Sequence, residues 1–329
     1  MNKEKEKKLT TVEIYKKGTE NLKKMNVDWV YAGGKRGPSV QANRAYLESL
    51  FFDPQFFDPL EVNIRLEFIG VQLKTPVFCS ALSRLPNMPE NSLTEIAEGI
   101  AKAGSFIMLG IGGSEDLQGA IDTGAPVVKI IKPYRNTDQI YKKVRDAESR
   151  GCVALGMDID HFYGLLASGK FLRTELFGPQ QTDELQNVIS ESKLPFIFKG
   201  VLSVRDAEKA LELGASAIVV SNHGSGAFDY TTPSMRALPK IVERVGNRIQ
   251  VLVDTGFENG NDVFKALAFG STAVGFANPM ILAYAADGTE GIELLIKQIN
   301  RELERNMAAA GCADLASIKN VVVTQYPLA

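Results

Sequence analysis

Beyond residue 60 the chain settles into a rhythm. Short apolar runs rich in β-branched residues alternate with amphipathic stretches of roughly 10–15 residues, the pattern of repeated βα units. Eight runs read as strands: Val77–Ser80, Phe106–Leu109, Val127–Ile131, Ala154–Ile159, Phe196–Lys199, Ala217–Ser221, Gln250–Asp254 and Ala273–Gly275. Between them the helical period predicts Leu93–Ala103, Thr137–Arg150, Asp183–Ser192, Ser203–Leu213, Ser234–Val245 and Gly260–Ala268, with Leu294–Ala310 as a closing helix. Ser203 with Asp206 resembles a capping box, and Asp183 reads as an N-cap. Gly104, Gly151, Gly214 and Gly270 each follow a helix, where a left-handed residue is expected. Eight units favour a closed barrel over an open doubly wound sheet. No Gly-x-Gly-x-x-Gly follows the first strand, which also argues against a dinucleotide fold.

The predicted fold class is therefore α/β, a (β/α)8 TIM barrel with an N-terminal helical extension. Residues 1–60 form the extension, with a helix from Thr11 to about Met25 and an irregular stretch over 26–60. Residues 61–329 form the barrel, in one domain overall, and the length suits that architecture.

Composition narrows the function. A net charge of −2 leaves no basic footprint, so no nucleic acid partner is expected. No apolar run reaches bilayer-spanning length, so no membrane association is expected. The start, MNKEKEKKLT, lacks the apolar core of a signal peptide. Cys79, Cys152 and Cys312 are far apart and fit no metal-ligand spacing, so they read as buried thiols in a reducing cytoplasm, and no metal site is assigned.

In a barrel the active site sits at the C-terminal ends of the strands. Those ends are dense with charge here: Ser80 to Arg84, Lys129 and Lys132, Asp158, Asp160 and His161, Lys199, Ser221-Asn222-His223-Gly224, Asp254-Thr255-Gly256, and Ala277-Asn278-Pro279. One inward Lys or Asp could be a rim ion pair. A whole ring of them points to use, because buried charge is costly unless paired. Both histidines of the chain fall at strand ends. Alternation places Asp158 and Asp160 on one side and turns His161 away from Asp160.

The segment Phe198–Asp262, with Ser221-Asn222-His223-Gly224 and the preceding Lys199-Gly200, resembles the FMN-dependent α-hydroxy-acid oxidase and dehydrogenase family. That family includes glycolate oxidase, lactate oxidase and flavocytochrome b2. The similarity runs from about residue 12 to the end. It implies FMN as cofactor, a small-molecule substrate and a homo-oligomer. It also implies His223 as the base that takes a proton from substrate, Asp160 as its partner, and Lys199 as the cation beside the flavin. Ser80, Lys129, Asp158, Asp254, Gly256 and Asn278 fall at cofactor-contacting positions.

Several positions depart from the family pattern. Gly226 replaces the arginine that clamps the substrate carboxylate, and Ile131 replaces a third-strand tyrosine. Val30 replaces another tyrosine, with Tyr31 adjacent. Lys129 stands for a glutamine and Asp158 for a threonine. Glu258 and Asn278 stand where arginines hold the phosphate, and the loop after the fourth strand looks shortened. The resemblance thus implies a divergent oxidoreductase whose substrate is not an ordinary 2-hydroxy acid, with Tyr31, Arg84 and Lys132 as substrate candidates and Arg135 as a further cation near the mouth. Two other readings stand beside it. One is a flavin-free barrel lyase, using Lys129 and Lys199 for Schiff-base chemistry or Asp158, Asp160 and Asp254 for Mg²⁺. The other is a barrel without catalysis that acts as a binding subunit.

Overall fold

A computed structural model of the chain describes residues 9–27, 37–58, 60–167 and 170–326. Eight parallel strands close into a barrel: β1 (Val77–Leu82), β2 (Ile107–Leu109), β3 (Val127–Ile131), β4 (Ala154–Asp158), β5 (Phe196–Val201), β6 (Ala217–Val220), β7 (Gln250–Asp254) and β8 (Ala273–Phe276). Each pairs with its successor, and β8 pairs with β1. Two helices precede the barrel, α1 (Thr11–Lys24) and α2 (Pro38–Glu48). One helix follows each strand: α3 (Ser92–Ala103), α4 (Ser114–Asp122), α5 (Thr137–Arg150), α6 (Thr182–Glu191), α7 (Val204–Glu212), α8 (Ser234–Val245), α9 (Gly260–Ala268) and α10 (Asn278–Ala309).

The eight expected strands are all present, with shifted ends. β4 stops at Asp158 because Ile159–His161 winds into a 3-10 turn. Helix α4 was not anticipated; it is short, and its Gly-Ser start hides among the glycines that end β2. The closing helix begins at Asn278 rather than Leu294 and bends at Asp287 and Gly288, where the backbone leaves helical angles. Gln181, not Asp183, caps α6. The stretch expected to be irregular contains α2 and a strand, Leu50–Phe52, that pairs antiparallel with Val323–Gln325 near the other end of the chain.

Strand alternation sorts side chains into two shells. Phe78, Met108, Val128, Ile130, Ala154, Ile197, Ala217, Val219, Leu252 and Ala273 fill the barrel interior. A hairpin, Leu66–Phe68 with Val71–Leu73, plugs the barrel at its N-terminal end. There Phe68 and Phe78 stack on either side of the Phe106 contact, with ring centroids 4.6 and 4.7 Å from Phe106. The alternate residues, such as Val127, Ile131, Leu155, Phe198 and Val253, face the helices. Helix α1 lies on α10, where Thr11 Oγ1 donates to Gln298 at 2.6 Å and the Asn21 amide donates to the Ala285 carbonyl at 2.9 Å.

Candidate active site

The inward register that fills the barrel ends at its mouth in polar residues. Ser80, Lys132, Asp158, Lys199, Ser221 and Asp254 each continue an inward row, and all are buried. Above them opens a cavity of about 620 Å³, a volume typical of small-molecule and cofactor sites. Its lining includes Ser80, Arg84, Lys132, His161, Arg173, Lys199, His223, Asp254, Gly256, Glu258 and Asn278.

Two carboxylates and two lysines interlock beneath the cavity. Lys199 Nζ lies 3.2 Å from Asp254 Oδ2 and 3.7 Å from Asp158 Oδ1, and it donates to Ser221 Oγ at 3.2 Å. Asp254 also accepts from Ser80 Oγ at 2.5 Å and from Thr255 Oγ1 at 2.8 Å. Lys132 Nζ donates to Asp158 Oδ2 at 2.5 Å and lies 2.8 Å from His161 Nδ1. These contacts offset the large cost of burying each charge.

His223 is gripped at both ring nitrogens. Nδ1 lies 2.5 Å from Asp160 Oδ2. Nε2 lies 2.6 Å from Lys199 Nζ and 3.0 Å from Asp158 Oδ1. A neutral ring can therefore donate from Nδ1 to Asp160 and accept from Lys199 at Nε2. A protonated ring presents its second N–H toward Asp158. The site holds a partner for either protonation state.

The electrostatics follow from this packing. Burial alone would lower the His223 pKa, but the Asp160 and Asp158 carboxylates outweigh it and the neighbouring Lys199, and raise it above the ordinary value. Burial opposes ionisation of Asp160, yet His223 and His161 hold it down to about 2. Asp158 is likewise held well below the usual range against its burial, chiefly by Lys132, His223 and Lys199. Asp254 is lowered against burial by Lys199 and His223. Lys199 is raised despite burial by Asp254, Asp158 and Asp160, so it stays cationic. His161 is pushed down to about 3 by burial and by Lys132 and His223, so it is neutral.

The backbone is shaped to permit this. His223 sits at φ +49 and Thr255 at φ +83, left-handed values that cost a non-glycine residue roughly 1–3 kcal/mol and persist where surrounding structure enforces them. At His223 the enforcement comes from Asn222, whose Oδ1 accepts from the Gly224 N–H at 3.1 Å. Asn222 in turn exchanges side-chain hydrogen bonds of 2.9 and 3.2 Å with Asn43 of α2. Gly200 follows Lys199 at φ +92, and a Cβ there would come within 2.5 Å of the Asp160 carboxylate. Only a glycine leaves that carboxylate its place beside His223.

Several expectations are corrected. Lys129 does not reach the cavity. It lies one residue out of the inward register, faces the helix layer, and donates to the Gly110 carbonyl at 2.5 Å. Burial, with Lys143 nearby, lowers its pKa to about 8. No Lys129–Lys199 pair exists. The inward neighbour at this level is Lys132, not Ile131, which packs against the helices. Lys132 is spent on Asp158 and His161 rather than offered to substrate. His161 turns inward, its ring 4.3 Å from that of His223, because the 3-10 turn breaks strand alternation. Arg135 packs on Gly178 and does not line the cavity. Tyr31 lies outside the described residues.

Arg84 does line the mouth, and so does Arg173, which was not anticipated. The segment after β4 carries a hairpin, Leu165–Ala167 with Lys170–Leu172, that delivers Arg173. The Ser168-Gly169 turn dipeptide between two short apolar runs was the available signal. Asn43 and Arg44 of α2 were likewise missed as parts of the site. Donor atoms of Asp158, Asp160, His161 and His223 lie within 4.8 Å of one another, and the Lys132 and Lys199 ammonium groups supply positive charge to that cluster.

The family model described as FMN-dependent dehydrogenase matches residues 18–165 and 166–325. Glycolate oxidase 3 of Oryza sativa subsp. indica is 28% identical, with 96% of each chain covered. L-lactate oxidase of Nostoc sp. is 27% identical, covering 91% of this chain and 93% of that one. Among solved structures, mandelate oxidase with (S)-2-phenylpropionate superposes with a TM-score of 0.89 at 25% identity, covering 98% of this chain and 100% of that one. These are what the chain is similar to across nearly its whole length.

Proposed function

The chain belongs to the FMN-dependent dehydrogenase family, and on that footing we propose that it oxidises a CH–OH group with His223 as the base, on a substrate other than an ordinary 2-hydroxy acid. The observation that carries this reading is the His223–Asp160 contact of 2.5 Å at the floor of the cavity. A carboxylate at Nδ1 fixes the tautomer that leaves Nε2 free of its proton and able to accept one.

FMN is the cofactor of the family, and when bound it supplies the acceptor for the two electrons that leave the substrate. The reactive end of the cavity suits its ring system. Lys199 is a buried cation aimed at the cavity, and Ser80, Asp254 and Thr255 offer fixed polar atoms around it. Ser80, Lys199, Asp254, Gly256 and Asn278 are the residues that would hold the group.

The chain's own contribution is to place and stabilise charge. Lys199 keeps positive charge where negative charge develops. His223 takes the proton, and Asp160 and Asp158 stabilise the imidazolium. Asp160 remains ionised throughout, since His223 and His161 hold its pKa near 2.

The substrate restriction rests on the cations beside His223. Position 226 is a glycine, Lys132 is spent on Asp158 and His161, and Lys199 is spent on Asp254, Asp158 and Ser221. A substrate carboxylate next to His223 would find no unpaired cation there among the described residues and would face Asp158 and Asp160. Alcohols without a carboxylate on the adjacent carbon fit better. Arg84 and Arg173 stand at the mouth, exposed, where they can attract a remote anionic group. Three buried free cysteines support a cytoplasmic setting.

The test is anaerobic bleaching of the flavin absorption bands by a panel of substrates. Neutral alcohols are expected to bleach the bands and glycolate, lactate and mandelate to leave them. Bleaching by the 2-hydroxy acids at ordinary concentrations would sink the substrate reading, and a protein that binds no flavin would sink the whole assignment.

A further inference from the structure

The cavity has two chemically different ends. One is the reactive floor of Lys199, His223 and the buried aspartates. The other, bounded by Tyr15, Arg44, Gly256, Glu258 and Asn278, is acidic. Arg44 is the basic side chain beside Glu258 and Gly256 at that end among the described residues, and four of its five N–H donors are engaged. Its Nη atoms lie 2.6 and 2.9 Å from the two oxygens of Asp262, its Nε lies 3.0 Å from Glu48, and Nη1 also donates to the Gly256 carbonyl at 3.0 Å. Lys265, the other nearby cation, donates to the Leu47 carbonyl. Around them stand Glu48, Glu258, Asp262 and Glu302, the last accepting from the Gly260 N–H at 2.7 Å. Of these carboxylates Glu258 lines the cavity, while Asp262 and Glu48 hold the Arg44 guanidinium. The half-charge at the N-terminus of α10, which Ala277 leaves without a capping side chain, is smaller than the full charge of the Glu258 carboxylate. Burial raises the pKa of Glu258, with Arg44 lowering it and Asp262 and Glu48 adding to the rise.

A flavin would have its ring beside Lys199 and His223, because the carbon that gives electrons to the ring also gives its proton to His223, and a side chain directed to the other end would reach Glu258 and Asn278. A terminal phosphate carries about −1.5 to −2 charge at neutral pH; at this end it would meet Glu258, and among the described residues the cation lining it, Arg44, is already paired with Asp262 and Glu48. Hydroxyl groups, in contrast, find acceptors in the Glu258 carboxylate and amide partners at Asn278.

Resting on the flavin reading above, we propose that this end of the cavity recognises an uncharged, hydroxyl-bearing chain, so that the protein gains no affinity from the flavin phosphate and binds riboflavin at least as tightly as FMN.

The experiment is titration of flavin-free protein with riboflavin and with FMN, followed by quenching of flavin fluorescence, at low and at high salt. Riboflavin is expected to have a Kd equal to or below that of FMN. Raising ionic strength from about 0.05 to 0.5 M should tighten FMN several-fold by screening the repulsion and leave riboflavin unchanged. Glu258→Gln should tighten FMN about tenfold, roughly the 1.4 kcal/mol of one decade, with little effect on riboflavin. FMN binding more tightly than riboflavin to the wild-type protein, or weakening with salt, overturns the proposal while leaving the flavin reading intact. Failure of both flavins to bind rejects that reading and this one with it. The salt series on wild-type protein keeps the test decisive if the variant does not fold.

Discussion

Asp158 Oδ1 lies 3.0 Å from Nε2 of His223, the nitrogen that Asp160 does not touch. The approach is an ion pair rather than an aligned hydrogen bond, and Oδ1 of Asp158 has no hydrogen-bonded donor among the described residues. A carboxylate at each edge of one imidazole stabilises the protonated ring, which is why the His223 pKa is raised despite burial. A base must first be deprotonated, so activity should rise with pH through that raised value. Replacing Asp158 by Asn removes one of the two carboxylates and should move the acidic limb of the kcat/KM profile to lower pH. A limb that stays in place would show that Asp158 does not set the His223 proton affinity.

The same substitution has a structural cost. It leaves Lys132 without its ion-pair partner, with only His161 nearby. Breaking a buried pair from one side typically costs about 3–5 kcal/mol, and Asn, which keeps an acceptor oxygen, should fall at the lower end. Urea denaturation of Asp158→Asn and of the double variant Asp158→Asn/Lys132→Met checks this. The double variant should recover part of the loss.

His223→Ala should lower turnover by about 10²–10⁴, the usual range for a general base, and leave bound flavin in place. The ring lines the cavity from a turn that Asn222 and Asn43 hold independently of the imidazole. Flavin content measured after gel filtration separates the two effects. Loss of flavin together with activity would make His223 a structural residue.

Much of this was legible beforehand. The eight strands declare themselves because each is an apolar run bounded by helix signals, and His223, Asp160 and Lys199 do meet at one point. What escaped were features that depend on local departures from alternation. The 3-10 turn at Ile159–His161 brings in a histidine that strict alternation sends outward. One residue of register at β3 exchanges Lys129 for Lys132, since strand ends are not marked in an apolar run such as Val127–Ile131. Asn43 and Arg44 escaped because their partners, Asn222 and Asp262, lie 179 and 218 residues away, beyond any local pattern.

Acid should unfold the protein through the aspartates of the site. The pKa values of Asp158, Asp160 and Asp254 are all depressed in the folded state, so their contribution is present above the unfolded carboxylate range near 4 and is lost as pH falls toward about 2. The His223 pKa is raised, so its contribution has the opposite sign: full below the unfolded value of about 6.5 and lost as pH rises through the folded one. The His161 pKa is pushed down to about 3, so stability measured in urea should begin to decline below about pH 6.5, fall more steeply below pH 4, and decline gently on the alkaline side. In His223→Ala the alkaline decline should vanish and the acid loss should shrink, because Asp160 loses a partner that depresses it.

Lys129 and Lys199 provide the sharpest contrast, being two buried lysines on strands of one barrel with opposite environments. Lys199 Nζ is surrounded by Asp254, Asp158, Ser221 and His223 and lines the cavity. Lys129 lies between the barrel and its helices, where burial lowers its pKa and it donates to the Gly110 carbonyl. Lys129→Met should leave the flavin spectrum and kcat unchanged. Its stability should stay level or rise, because an apolar side chain of similar length avoids burying an ammonium that, among the described residues, has no carboxylate at ion-pair distance, Asp146 and Asp116 acting only from farther away. Lys199→Met should slow flavin reduction by orders of magnitude and strand two buried aspartates, lowering stability as well. Rapid-reaction measurement of flavin reduction and thermal denaturation of both variants decides it. A loss of activity in Lys129→Met equal to that in Lys199→Met would mean that the third strand carries its lysine toward the flavin after all.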